Sequence, residues 1–212
     1  MKALATCLTI LLLFVLVASA HAVVGLFDSR SVFEETLGPH ELITFEEFPI
    51  GPVAPCVPIH PFIPDACVFT TQGVTFTATQ SADIDQRPLL SIEQGIGAPL
   101  SRGLVSNAIP TAPDQLFLTF SHPLLGIGFD IVTGATFGTV VHVVVTEANG
   151  AVTEIPVFAV IGAGVFFGVT SDMGVTKVSL FDPTDPSAAN FIIDNVAFPA
   201  TAVTVLNRHQ AG

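Results

Sequence analysis

The sequence predicts an all-β protein: an antiparallel β-sandwich with one short N-terminal helix. Three observations carry that prediction. Short segments of alternating apolar and polar residues recur through most of the chain, the pattern of strands with one dry and one wet face. Turn signals separate them, among them "SHP", "TGATFG", "EANGA", "GAG", "SDMG" and "DPTDPS". Sixteen Pro and 17 Gly are spread along the 212 residues rather than clustered, which suits many tight connections and not a disordered tail. Many short strands without intervening helices point to a sandwich or barrel.

The elements follow in order. Residues 1–22 read as a secretory leader: Lys2 supplies the positive region, "LTILLLFVLVA" the apolar run, and "AHA" ending at Ala22 a cleavage site, with "ASA" ending at Ala20 as an alternative. A membrane anchor is the competing reading, but the run is short for a span of roughly 20 residues. The mature chain is expected to begin near Val23, to contain no further membrane span and to be secreted, extracellular or periplasmic. A segment over 23–40 then carries the helix, in "DSRSVFEETLG". There Asp28, Ser29 and Ser31 offer caps, Val32, Phe33 and Leu37 recur at helical spacing, and Gly38-Pro39 stops the run. The sandwich is expected over 41–199, with a tail over 200–212.

Its strands are "ELITFEEF" (41–48), "GVTFTATQ" (73–80), "QLFLTFS" (115–121), "LLGIGFDIV" (124–132) and "TVVHVVVTEA" (139–148). "EIPVFAVIG" (154–162), "GVFFGVTS" (164–171), "GVTKVSLFD" (174–182) and "NFIIDNVAF" (190–198) complete the set. Residues 81–113 lack a clear period and are expected to form long loops on one rim.

Charge narrows the partners. With the leader removed, 6 basic residues become 5 against 18 acidic, a formal charge of -13. That balance repels phosphate backbones, so nucleic acid is not an expected partner. Cys7 falls in the leader, leaving Cys56 and Cys67. In an oxidising compartment they are expected to form a disulfide, with two free thiols as the alternative. Closing so short a loop contributes about 2–3 kcal/mol.

Catalytic patterns are missing. The six histidines, at 21, 40, 60, 122, 142 and 209, form no HExxH or HxH pair. There is no GxSxG elbow and no phosphate-binding glycine loop. Glu46 and Glu47 could join a distant carboxylate as a glycosidase pair. The sequence has 18 Phe but no Trp or Tyr, so sugar-stacking platforms are thin, and no enzyme is expected.

One stretch raises a particular question. In "FIIDNVAF", Asp194 and Asn195 interrupt an apolar strand, and an unpaired buried carboxylate is costly. "LITFEEFPIG", "QGVTFTA", "LFLTFSHPLLGIGFDI", "VFFGVTSDMGVTKVSLF" and "FIIDNVAF", in that order over residues 40–198, resemble a family of exported bacterial β-sandwich proteins. Many members carry a PEP-CTERM sorting tail. "TAVTVLNRHQAG" contains no Pro-Glu-Pro motif, so sorting by that tail is not expected. The architecture is also similar to the jelly rolls of calcium-bearing carbohydrate-binding modules. That resemblance implies a structural Ca²⁺ held by Glu46 or Glu47 and Asp194, since the ion takes 6–8 oxygen ligands and neutralises paired carboxylates. Alternatively Asp194 and Asn195 hydrogen-bond backbone amides at a strand end.

Three functions are therefore in view. The leading one is a non-enzymatic secreted module acting by surface contact: adhesion, envelope or matrix association, with another envelope protein or a polysaccharide as partner. The alternative is a carbohydrate-binding module, which an exposed row of Phe beside polar side chains on one sheet face would favour. The last is a hydrolase with two carboxylates converging in a cleft.

Overall fold

The computed structural model describes residues 24–52, 66–79, 89–94, 101–107, 115–133, 139–159, 164–181 and 191–200. Their strands are β1 (Val24–Phe27), β2 (His40–Ile43), β3 (Gly51–Pro52), β4 (Ala66–Thr71), β5 (Val74–Thr79) and β6 (Leu89–Gln94). β7 (Arg102–Asn107), β8 (Gln115–Thr133), β9 (Thr139–Glu147), β10 (Val152–Ala159), β11 (Val165–Phe181) and β12 (Phe191–Pro199) follow, and α1 spans Arg30–Leu37. Every pairing is antiparallel. The all-β class with one short helix therefore holds.

Two strands organise the rest. β8 has 19 residues and β11 has 17, whereas ordinary strands have 3–10. At about 3.4 Å per residue β8 would run to about 65 Å if straight, too long for one layer of a small domain. Both strands bend instead. The register between them shifts twice, from Thr170 to Val175 and from Val175 to Lys177. There Gly174 has φ 80°, and a Cβ would lie 2.7 Å from Pro123.

Each half of the pair then builds its own layer. The first sheet runs β4-β5-β8-β11-β9-β10, using the start of β8 and the end of β11. The second runs β1-β11-β8-β12, continuing to β7, β6 and β3, with β2 beside the end of β12. Leu116 and Leu118 from one half of β8 meet Ile127, Phe129 and Ile131 from the other in one core, joined by Phe45, Phe76, Val143 and Leu180.

The sequence expected turns at "SHP" and "SDMG"; both lie inside continuous strands. Pro123 and Gly174 sit where the chain bends within each strand and the β8–β11 register shifts. The strand expected over 41–48 stops at Ile43, because Phe45 adopts φ 59° and turns its ring into the core. β6 and β7 lie where long loops were expected. They expose no long alternation: Leu90, Ile92 and Leu104 supply their inward contacts.

Helix α1 docks on the outside of the second sheet through Phe33, which is fully buried. Its seat is two glycines: a Cβ at Gly128 would lie 2.7 Å from Phe33, and one at Gly168 2.8 Å from it. Phe27 and Phe166 close the seat, each with its ring centroid 5.5 Å from that of Phe33. Gly168→Ala is expected to cost about 1–3 kcal/mol by overpacking and Phe33→Ala about 3–5 kcal/mol by cavity formation. Urea unfolding of each variant measures both, and a Phe33→Ala protein as stable as the parent would show that the helix contributes nothing.

Candidate functional site

Two places concentrate polar chemistry, one on the outer face of each sheet. On the second sheet, Asp194 of β12 stands opposite Asp130 of β8. Like charges in that position repel, so something must answer them. Asn195 does part of this. At a β-bulge two residues of β12, Asn195 and Val196, oppose one of β8, Phe129, between the pairs Asp194–Asp130 and Ala197–Gly128. Asn195 takes φ 50°, the left-handed conformation that Asn tolerates best among non-glycine residues. Its Nδ2 donates to Asp130 Oδ2 at 2.9 Å and Asp194 Oδ2 at 3.3 Å, and its backbone N–H donates to Asp194 Oδ1 at 2.7 Å. Arg30 does the rest from the helix: its Nη2 lies 3.0 Å from Asp130 Oδ2 and donates to the Asn195 carbonyl at 2.9 Å.

Asp194 itself is 5% exposed. Burial lifts its carboxyl from the ordinary 3.8 to about 6, and the charges of Asp130 and Glu46 add to the rise. The Asn195 amide and the Ser101 hydroxyl pull the other way. Beside it lies an open cleft of about 40 Å³ lined by Ser101, Gly103, Asp130, Val132, Ile192 and Asp194, among others. That volume holds a water or two; clefts that enclose small-molecule substrates run to about 300–1,000 Å³.

The sequence-derived site residues are only partly gathered here. Glu46 lies near enough for its charge to reach Asp194, but its carboxylate faces Arg102. The Arg102 backbone N–H donates to Glu46 Oε1 at 2.7 Å, and Nε lies 3.9 Å from Oε2. Arg102 Nη1 also donates to the Glu46 and Phe48 carbonyls, each at 2.7 Å. Glu47 is exposed on the same turn. Among the described residues no group of three or more His, Cys, Asp or Glu side chains is placed to hold a metal ion. Of the carboxylates expected to hold calcium, Glu46 has a guanidinium neighbour in Arg102, and Asp194 has Asn195 as its hydrogen-bond donor. Cys56 and His60 lie outside the described residues, so the expected disulfide with Cys67 does too.

The second place is the outer face of the first sheet. Along β8 Leu116 and Leu118 point into the core, so Phe117 and Thr119 point out. The same alternation turns Lys177, Ser179 and Phe181 of β11, His142 and Val144 of β9, and Glu154 and Phe158 of β10 outward. The register sets them in a pattern. Phe117 opposes Ser179, Phe181 opposes His142, and Phe158 opposes Val140, one pleat from His142. Rings therefore step diagonally across four adjacent strands, over about 15 Å at the usual strand spacing.

Phe181 and His142 have centroids 5.2 Å apart, and Phe158 is 60% exposed. Hydroxyls flank the rings. Thr119, Thr75 and Thr70 share one row across β8, β5 and β4, with the Thr70 and Thr75 oxygens 3.0 Å apart. His142 Nδ1 meets Glu154 Oε1 at 2.5 Å, and Lys177 Nζ sits 4.1 Å from the centroid of Phe117.

Sequence reasoning overlooked Phe117, Phe181, Lys177, Arg30, Arg102, Ser101 and Asp130. The alternation in "LFLTFS" and "VTKVSLF" separates outward from inward residues, but not which strands lie side by side.

No protein-family model and no curated protein matches the chain. Among solved structures it is similar to an exo-β-agarase, at 18% identity over 63% of this chain and 24% of that one, with a TM-score of 0.45. It is similar to a family 29 carbohydrate-binding module, at 13% identity over 76% of this chain and 91% of that one, with a TM-score of 0.40. A Clostridium thermocellum endo-1,4-β-D-xylanase complexed with xylohexaose is similar at 14% identity, over 71% of this chain and 30% of that one, with a TM-score of 0.40. The chain thus spans about a quarter of the agarase chain. Among the described residues no helix is long and apolar enough to cross a membrane.

The buried carboxyl makes a pH prediction. A raised pKa means that the folded state holds the Asp194 proton more tightly than the unfolded chain does. The resulting stabilisation is complete below pH 4 and is lost as pH rises through about 6. A shift of about two units corresponds to about 3 kcal/mol at most. Denaturant unfolding between pH 4 and 7 should show the protein gaining that stability relative to Asp194→Asn as pH falls. A constant difference between the two would remove the burial account.

Proposed function

We propose that the protein is a non-catalytic module that binds polysaccharide through the outer face of its first sheet. The observation that carries this reading is the diagonal of Phe117, Phe181, His142 and Phe158 beside a row of threonine hydroxyls. An extended sugar chain needs apolar ring faces for its C–H surfaces and hydroxyl partners along its edge. An open sheet face serves a polymer better than a closed pocket does, because the chain passes through. The surface contact first expected for this protein is then contact with a glycan. The 40 Å³ cleft by Asp194 is too small to enclose a sugar, so the sugar is assigned to the open sheet face and not to that cleft. The reading fits an exported protein, with the leader at 1–22 removed and Cys56 bridged to Cys67.

Affinity electrophoresis and calorimetry against a panel of neutral and acidic polysaccharides test it. Phe117→Ala and Phe181→Ala should each weaken binding at least tenfold, a loss of about 1.4 kcal/mol or more. Both side chains lie outside the core, so the variants should keep the parent's thermal unfolding. Binding that survives both substitutions would move the site elsewhere.

The structural calcium ion is a separate proposal, resting on Glu46, Glu47 and Asp194. Saturation at 100 times the dissociation constant would add about 2.7 kcal/mol. Thermal unfolding with excess calcium and then chelator should show that gain in the parent and none in Asp194→Asn. No response to calcium in the parent would leave the carboxylates to Arg30, Arg102 and Asn195.

A further inference from the structure

Lys177 stands in the middle of the face assigned above to polysaccharide, and among the described residues its charge has no carboxylate partner. Three Lys or Arg side chains fall among the described residues. Arg30 meets Glu34 at 3.1 Å and Asp130 at 3.0 Å, and Arg102 meets Glu46 at 3.9 Å. Lys177 meets only the ring of Phe117, at 4.1 Å, with no described carboxylate within ion-pair distance. The chain has 18 acidic residues against 6 basic ones, so an unmatched ammonium at this spot is notable. Glu154 is the one described carboxylate on the same face, and it is engaged with His142.

An ammonium has three donors and no acceptor. Resting on a phenyl ring satisfies its charge in part and leaves its donors without a described acceptor. A sugar stacked beside Phe117 and Phe181 would bring its ring substituents to that ammonium. The substituent that gains most there is a carboxylate, because a charge-assisted hydrogen bond is roughly twice as strong as a neutral one.

We infer that the face selects polysaccharides built from uronic acids, with Lys177 reading the carboxylate; this rests on the polysaccharide reading above. The acidity of the whole protein does not oppose it at contact. Exposed charges are screened beyond about 8 Å at physiological ionic strength, and among the described residues no free carboxylate competes for Lys177 on this face.

The test compares polygalacturonate, alginate and a glucuronan with the methyl ester of each, by calorimetry on the intact protein. Esterification keeps the sugar backbone and removes the charge. At least one acidic polymer should bind tenfold or more tightly than its ester. Lys177→Gln should erase that preference while ester affinity stays, and Lys177→Arg should retain it. Phe117→Ala should weaken acid and ester alike. If esters bind as well as acids, or if Lys177→Gln keeps the preference, the uronate reading is wrong and the sugar-binding face stands. If no polymer binds, charged or neutral, the face assignment falls with it.

Discussion

The pairing of β8 with β11 is the constraint on which the rest of this molecule depends. Each strand is twice the usual length, and together they form the middle of both layers. Because both bend at one corner, the inward residues of their two halves face each other across the core. The outward residues of one half become the ring-bearing face, and those of the other become the glycine seat for α1 and the Asp130 position. The pair of strands thus sets both outer faces, back to back.

Electrostatics differ sharply between those surfaces. On the second sheet, cross-strand opposition of Asp194 and Asp130 would be repulsive, and three devices relieve it: the Asn195 amide, the Arg30 guanidinium and the raised affinity of Asp194 for a proton. Arg102 performs a similar service at the turn that follows β2, holding two carbonyls and the Glu46 carboxylate. These contacts tie the rim together, although Arg102 Nε is buried without a hydrogen-bond partner. The first sheet's outer face has fewer charges, and among the described residues Lys177 meets only the Phe117 ring there. Arg30 and Arg102 are paired with carboxylates, whereas Lys177 has none among the described residues.

Legibility in the sequence followed the strength of local patterns. β5, β9 and the helix were readable because their alternation or helical spacing is long and uninterrupted. β6 and β7 were not, since each carries only one or two inward apolar residues and its stability comes from its neighbours. The strand over 41–48 was overextended because Phe45 has the composition of a strand residue but the backbone of a turn. Asp194 and Asn195 announced themselves as polar residues in an apolar strand. Their partners did not, because Arg30 and Asp130 are 164 and 64 residues away from Asp194 along the chain.

By itself, the sequence determined the all-β class, the outward or inward direction of most side chains, and the presence of a carboxylate needing an answer in the last strand. Those follow from interactions over a few residues, where a two-residue period sets direction. Only the tertiary structure decided that "SHP" and "SDMG" are bends within strands, that Phe117, Phe181, His142 and Phe158 form one diagonal, and that Lys177 lies on a phenyl ring with no described carboxylate beside it. Each of these depends on strand order and register. Both come from packing across the whole core, which no local segment encodes alone.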